Sequence, residues 1–229
     1  MTTAVMSDAN VFLLSPARCD GPRAKMLMNP LATFDLAQRL RSDEGAALGD
    51  VFSFLSGLYF RGKLEYARAL TPAKRQRSWI KVITTNSGLR SPLEAVTRDD
   101  LVAYSSVDIA RGDARYLAPL QRDAERLART LPAEAKVVLL GSIATGKYVD
   151  TLLATFGERL LFPVEFVGRG DMSRGGLMLR HARSGAALTY VPVTGAVRRG
   201  KRPPKLERLP RWQSQNDLAL NVRANEPDT

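Results

Sequence analysis

The stretch Lys136-Val137-Val138-Leu139-Leu140-Gly141-Ser142-Ile143-Ala144-Thr145-Gly146-Lys147-Tyr148 decides how this chain is read. An apolar run ends at Gly141, a loop with two glycines follows, and a helical pattern covers residues 148–156. Strand, glycine loop and helix form the repeating unit of parallel α/β sheets, and backbone N–H groups in such a loop can hold a phosphate. The loop fits G-x-x-x-x-G-K-[ST] everywhere but at its last position, where Tyr148 replaces the small hydroxyl that holds Mg²⁺ in a P-loop nucleotidase. Phosphate contact is therefore expected from Gly141, Ser142, Gly146 and Lys147, without ordinary ATP or GTP hydrolysis. Tyr148 is expected to stack on a base or sugar. The competing reading is a plain strand-to-helix turn that needs two glycines.

Outward from this stretch, residues 11–14 and 79–83 read as buried strands, and residues 160–162 and 164–167 as short ones broken at Pro163. Helices are expected over residues 31–41, from a cap at Asp50 to about residue 70, from Thr97 with Asp100 in its first turn, and over 117–131. Gly57 and Gly62 allow a neighbour to approach the second of these closely. Residues 177–182 and 188–193 read as a hairpin around Ser184-Gly185. Alternating strands and helices predict a three-layer α/β fold: a mostly parallel central sheet, helices on both faces, a C-terminal hairpin and a basic extended arm. One domain spans residues 10–194, with an arm and tail over 195–229. Loops 15–25, 84–90, 141–147 and 168–176 each follow a strand. They should share the carboxyl edge of the sheet, where ligands bind.

The formal net charge is +11, which favours a polyanionic partner, nucleic acid first. Residues 195–212 alone carry a net +6, from Arg198, Arg199, Lys201, Arg202, Lys205, Arg208 and Arg211 against Glu207. Pro203, Pro204 and Pro210 make this an arm able to track a phosphate backbone, with Trp212 available to stack on a base. The only cysteine is Cys19 and the only histidine His181, so neither an internal disulfide nor a structural zinc site is expected. A carboxylate-only metal site stays open, but no metal and no cofactor is expected. No apolar run suits a membrane span and residues 1–10 lack a basic signal-peptide start, so a cytoplasmic protein is expected.

Two aspartates lie in loops with the composition of a reacting site. Asp20 is flanked by Arg18 and Arg23; Asp171 lies among Arg169, Ser173, Arg174 and four glycines. Either carboxylate can stabilise a positive sugar or activate water, while the arginines and Asn86, Ser87 and Ser173 contact phosphate. The competing reading is a helix cap or surface ion pair for Asp20, and a mobile hairpin connection with a salt bridge for the Asp171 loop. Cys19 beside Arg18 is a weaker candidate nucleophile, and His181, in an expected strand, a weaker candidate base.

Residues 13–18 (Leu-Leu-Ser-Pro-Ala-Arg) and 138–142 (Val-Leu-Leu-Gly-Ser) resemble the corresponding strand ends of uracil-DNA-glycosylase-like α/β proteins, a group that includes archaeosine-synthase-like base-modification domains. The resemblance covers the layout of residues 10–193. It implies cleavage or exchange of an N-glycosidic bond on nucleic acid, DNA before RNA, at a modified base; some glycosylases of this kind serve in phage defence. Asp20 matches the aspartate-bearing loop after the first strand. The late histidine-bearing loop has no counterpart, since residues 168–176 contain no histidine. Two other functions stay open: a small-molecule enzyme for a nucleotide or phosphosugar, and a non-catalytic nucleic-acid-binding protein.

Overall fold

Residues 11–14 and 137–140 are fully buried without exception, as in strands covered on both faces. In the computed structural model, which describes residues 10–109 and 112–206, the elements run β1 (Asn10–Leu14), α1 (Pro22–Met28), α2 (Asp35–Arg41), β2 (Ala46–Ala47), α3 (Leu48–Ser56), α4 (Leu58–Ala69) and α5 (Gln76–Trp79). They continue with β3 (Ile80–Ile83), β4 (Leu89–Arg90), β5 (Ala95–Val96), α6 (Arg98–Ser105), α7 (Ala114–Thr130) and β6 (Lys136–Leu140). The described chain closes with α8 (Val149–Phe156), β7 (Leu160–Pro163), α9 (Asp171–Ser184) and β8 (Tyr190–Pro192).

Six strands form one sheet in the order β4-β3-β1-β6-β7-β8. The four inner strands are parallel, and β4 and β8 close the edges antiparallel. Alternate side chains sort to opposite faces, as the two-residue period of a strand requires. Phe12, Leu14, Val138 and Leu140 pack with α1–α4, α6 and α9, whereas Val11, Leu13, Val137 and Leu139 pack with α7 and α8. The expected three-layer α/β fold is therefore present.

Five expectations change. The long helix expected after Asp50 is two helices broken at Gly57, whose φ of 60° only glycine adopts readily. Asp50 sits in the first turn of α3 rather than capping it. Residues 22–25, expected as loop, belong to α1, started by Pro22 at its first position. The C-terminal hairpin is absent: residues 171–184 are helix α9, and of the second expected strand only Tyr190–Pro192 pairs, with β7. Residues 164–166 are a 3₁₀ turn, not a strand.

Thr97 and Asp100 form the expected capping box at α6. Gly62 also behaves as expected. A Cβ there would stand 2.6 Å from the Gly175 carbonyl oxygen, and one on Gly175 would stand 2.6 Å from the Leu58 carbonyl oxygen. Helices α4 and α9 thus meet backbone to backbone. Residues 196–206 adopt neither helix nor strand and lie as an arm along the β7–α9 connection, with Leu206 packed on the core. Trp212, Arg208 and Arg211 lie outside the described residues.

Candidate functional site

The chain leaves β1 toward β3 across the α1–α4 face and leaves β6 toward β7 across the α8 face. The two exits part between neighbouring strands, which makes the β1/β6 edge the crossover crevice of the sheet. Ser15 and Gly141 are the first residues beyond these strands, and the Ser15 N–H still bonds the Leu140 carbonyl at 3.2 Å. A Cβ on Gly141 would lie 2.7 Å from the Tyr148 hydroxyl and 2.9 Å from Ser15 Cβ. This position is glycine because two side chains occupy its space.

Four elements deliver polar groups to the crevice. From α4, fully buried Lys63 donates to the Ser15 carbonyl at 2.6 Å and bonds Ser15 Oγ at 2.9 Å. Its ammonium also lies over the rings of Tyr59 and Phe60, 4.4 and 4.8 Å from their centroids. From the glycine loop, the Tyr148 hydroxyl donates to the Ser142 carbonyl at 2.9 Å. From α9 come Arg174, which donates through Nε and Nη2 to the Phe166 carbonyl, and Asp171, 3.7 Å from Arg174 Nη1. The Arg174 side chain is 12 % exposed and Asp171 67 %, so the carboxylate is the accessible member of the cluster. The Tyr59 hydroxyl is buried without a hydrogen-bond partner of good geometry.

The field at this point is strong because the groups are out of water. Burial lowers the Lys63 pKa to about 7; Asp171 opposes that fall and Arg174 adds to it. Burial raises the Tyr59 and Tyr148 hydroxyls above the ordinary tyrosine value. Arg174 pulls both back, while Asp171 pushes both up.

Beside the crevice, on the β3 side, lies a cavity of about 550 Å³ lined by residues 16–20, Thr85, residues 104–109 and Lys147. Pro16 and Lys147 line the cavity while their chain neighbours Ser15 and Tyr148 belong to the crevice, so the two adjoin. Asp20 is a wall residue engaged on both oxygens by Arg18, at 2.5 and 3.1 Å, and that partner lowers its pKa. Cys19 is buried, and desolvation first and Asp20 second push its thiol up to about 12, the reverse of what a thiolate nucleophile needs.

The sequence-selected residues divide. Arg18, Asp20 and Lys147 meet at the cavity, and Asp171 and Arg174 at the crevice. Arg23 instead donates to the Phe54 carbonyl at the end of α3, 3.0 Å away. Asn86 and Ser87 bond each other inside the tight β3–β4 turn. No residue of 141–148 has a positive φ, so the loop lacks the alternating nest that cradles a phosphate, and the Asp150 carboxylate fills the space beside Gly146. The ring of Tyr148 is 6 % exposed within the α7–α8 core and cannot serve for stacking. Arg169 bonds the Glu165 carbonyl, Ser173 Oγ and the Pro204 carbonyl, which ties the arm to the start of α9. Arg198 reaches a cavity of about 10 Å³ beside Gly141 and Arg174, while Arg199, Lys201 and Arg202 are exposed. His181 lies in α9, not in a strand, and its Nδ1 pairs with the Ala186 carbonyl at 3.1 Å.

Sequence reasoning missed Lys63, Tyr59 and Ser15 as members of the cluster. The available signal was a lysine between Gly62 and Leu64, on the face of α4 otherwise given to apolar residues. Among the described residues no group of His, Cys, Asp or Glu side chains is arranged to hold a metal ion, and no helix is long and apolar enough to cross a membrane. Comparison with protein-family models, with curated proteins and with solved structures finds no match for this chain.

Proposed function

We propose that the protein acts on nucleic acid and cleaves or exchanges an N-glycosidic bond, with a modified base in DNA as the first substrate class. One observation carries this reading: an accessible carboxylate, Asp171, stands at the crossover crevice among desolvated cationic and hydroxyl groups, beside a cavity of about 550 Å³. That volume lies in the range of small-molecule sites and suits one nucleoside. Breaking an N-glycosidic bond places positive charge on the sugar and negative charge on the departing base. Asp171 answers the first need, and Arg18 and Lys147 in the cavity wall answer the second. Asp20, held by Arg18, orients that arginine. The exposed arm residues Arg199, Lys201 and Arg202 supply sequence-independent contacts to flanking phosphates.

The test is formation of abasic sites in oligonucleotides, single- and double-stranded, carrying plain and modified bases. Wild type should yield product on at least one modified base, and Asp171→Asn should yield it far more slowly. Tight binding with no product across the panel would reject the enzymatic reading in favour of a binding protein.

A further inference from the structure

Burying an ammonium costs several kcal/mol unless good geometry repays it. Among the described residues no carboxylate lies within ion-pair distance of Lys63, yet the group is fully buried. Both of its hydrogen bonds go to one residue, Ser15, at 2.6 and 2.9 Å. Ser15 is also the point where the chain leaves β1, and residues 16–20, which start there, form a wall of the cavity. The backbone contact of Gly62 with Gly175 seats Lys63 at this depth, since any side chain at either glycine would part α4 from α9.

We propose that Lys63 is a positioning residue: it clamps Ser15 at the end of β1 and thereby fixes the cavity wall that carries Arg18 and Asp20. The clamp depends on a proton. Charged, Lys63 donates to both oxygens of Ser15. Neutral, it accepts the Ser15 hydroxyl proton and keeps only a weak hold on the carbonyl. The groups facing it are Tyr59 and Phe60 from its own helix, Ser15 from β1, and Asp171 and Arg174 from α9. Burial first, opposed by Asp171 and aided by Arg174, brings its titration to about pH 7, so both states of the clamp are populated near neutrality. Any effect on rate rests on the glycosidic reading; the clamp itself does not.

Amide hydrogen exchange of the full chain tests it without a substrate. In Lys63→Met, exchange over residues 15–20 should rise by about tenfold or more while β6 stays protected. Lys63→Arg, which keeps donors to Ser15, should restore part of the protection. Unchanged protection of residues 15–20 in folded Lys63→Met overturns the proposal. Should that variant fail to fold, NMR titration of the wild type decides: the Lys63 Nζ and the Ser15 amide should share one midpoint. A Ser15 amide that ignores the Lys63 titration overturns the clamp. Exchange changes without any glycosidic product would leave the clamp standing and remove the proposed function; product with unchanged exchange would do the reverse.

Discussion

In the cavity wall Asp20 finds its partner, Arg18, two residues away, and both side chains are more than half exposed, at 54 % and 79 %. In the crevice Asp171 faces groups delivered by β1, α4 and the glycine loop, most of them out of water. Both carboxylates are open to water, Asp171 at 67 % exposure, so the difference lies in their partners. Asp20 is matched by an exposed arginine, and such a pair is screened and worth little; Asp171 faces buried groups, Lys63 and the Tyr59 and Tyr148 hydroxyls, whose protonation it influences. Composition alone makes the two loops look equivalent, and the burial of the facing groups separates them.

Substituting each aspartate is the sharpest way to break this comparison. Asp171→Asn should lower the rate of base release by about 10²–10³-fold, the usual weight of a carboxylate in such a step. Asp20→Asn should lower it by about tenfold or less, acting through Arg18. Single-turnover rates on the active oligonucleotide measure both, and equal losses would erase the distinction.

Lys63 provides the next largest effect. Its folded pKa lies below its unfolded value, so the unfolded chain binds more protons between about pH 7 and pH 10. Stability from this group is therefore lowest below pH 7, rises through that window, and is fully recovered above the unfolded pKa. Wild type should gain on the order of 4 kcal/mol relative to Lys63→Met across the window. Urea unfolding at several pH values reads the difference, and parallel curves for the two proteins would refute the burial of the charge.

Gly175→Val should destabilise by about 2–3 kcal/mol, because a side chain there strikes the α4 backbone. A valine at Gly170, where nothing lies within 4 Å of the added Cβ, serves as the control. Chemical denaturation should show a lower midpoint for the first variant alone.

The smallest effect belongs to the arm. Arg169→Ala removes the bonds to Ser173 and Pro204 and should cost about 1 kcal/mol of global stability or less. It should nonetheless speed tryptic cleavage at Arg199 and Lys201 several-fold, because cleavage follows local opening. Unchanged cleavage would mean that the arm is held by Leu206 instead.

Much of the sheet was legible because covered strands are written in the sequence as short runs without a polar residue. Residues 11–14 and 137–140 show this plainly, and the Thr97–Asp100 capping box is equally local. Helix α9 was not legible. Its first half, Asp171-Met172-Ser173-Arg174-Gly175-Gly176, has poor helix formers and two glycines, and its helical state comes from docking on α4. Lys63 escaped notice for a related reason: a lysine in a helix reads as a solvent-facing residue until the neighbouring helix is in place.

By itself the sequence determined a parallel α/β sheet, a basic arm, and two aspartate-bearing segments rich in arginine and glycine. Unbroken apolar runs, proline content and charge are properties of neighbours along the chain. Only the tertiary structure decided that Gly141 is glycine to admit Ser15 and Tyr148 rather than to nest a phosphate, that Tyr148 is a core ring, and that Asp171 rather than Asp20 faces a desolvated cluster. Each of those outcomes depends on which distant segment fills the space beside a residue. That space is set by the parallel pairing of β1 with β6 and by the contact of α4 with α9.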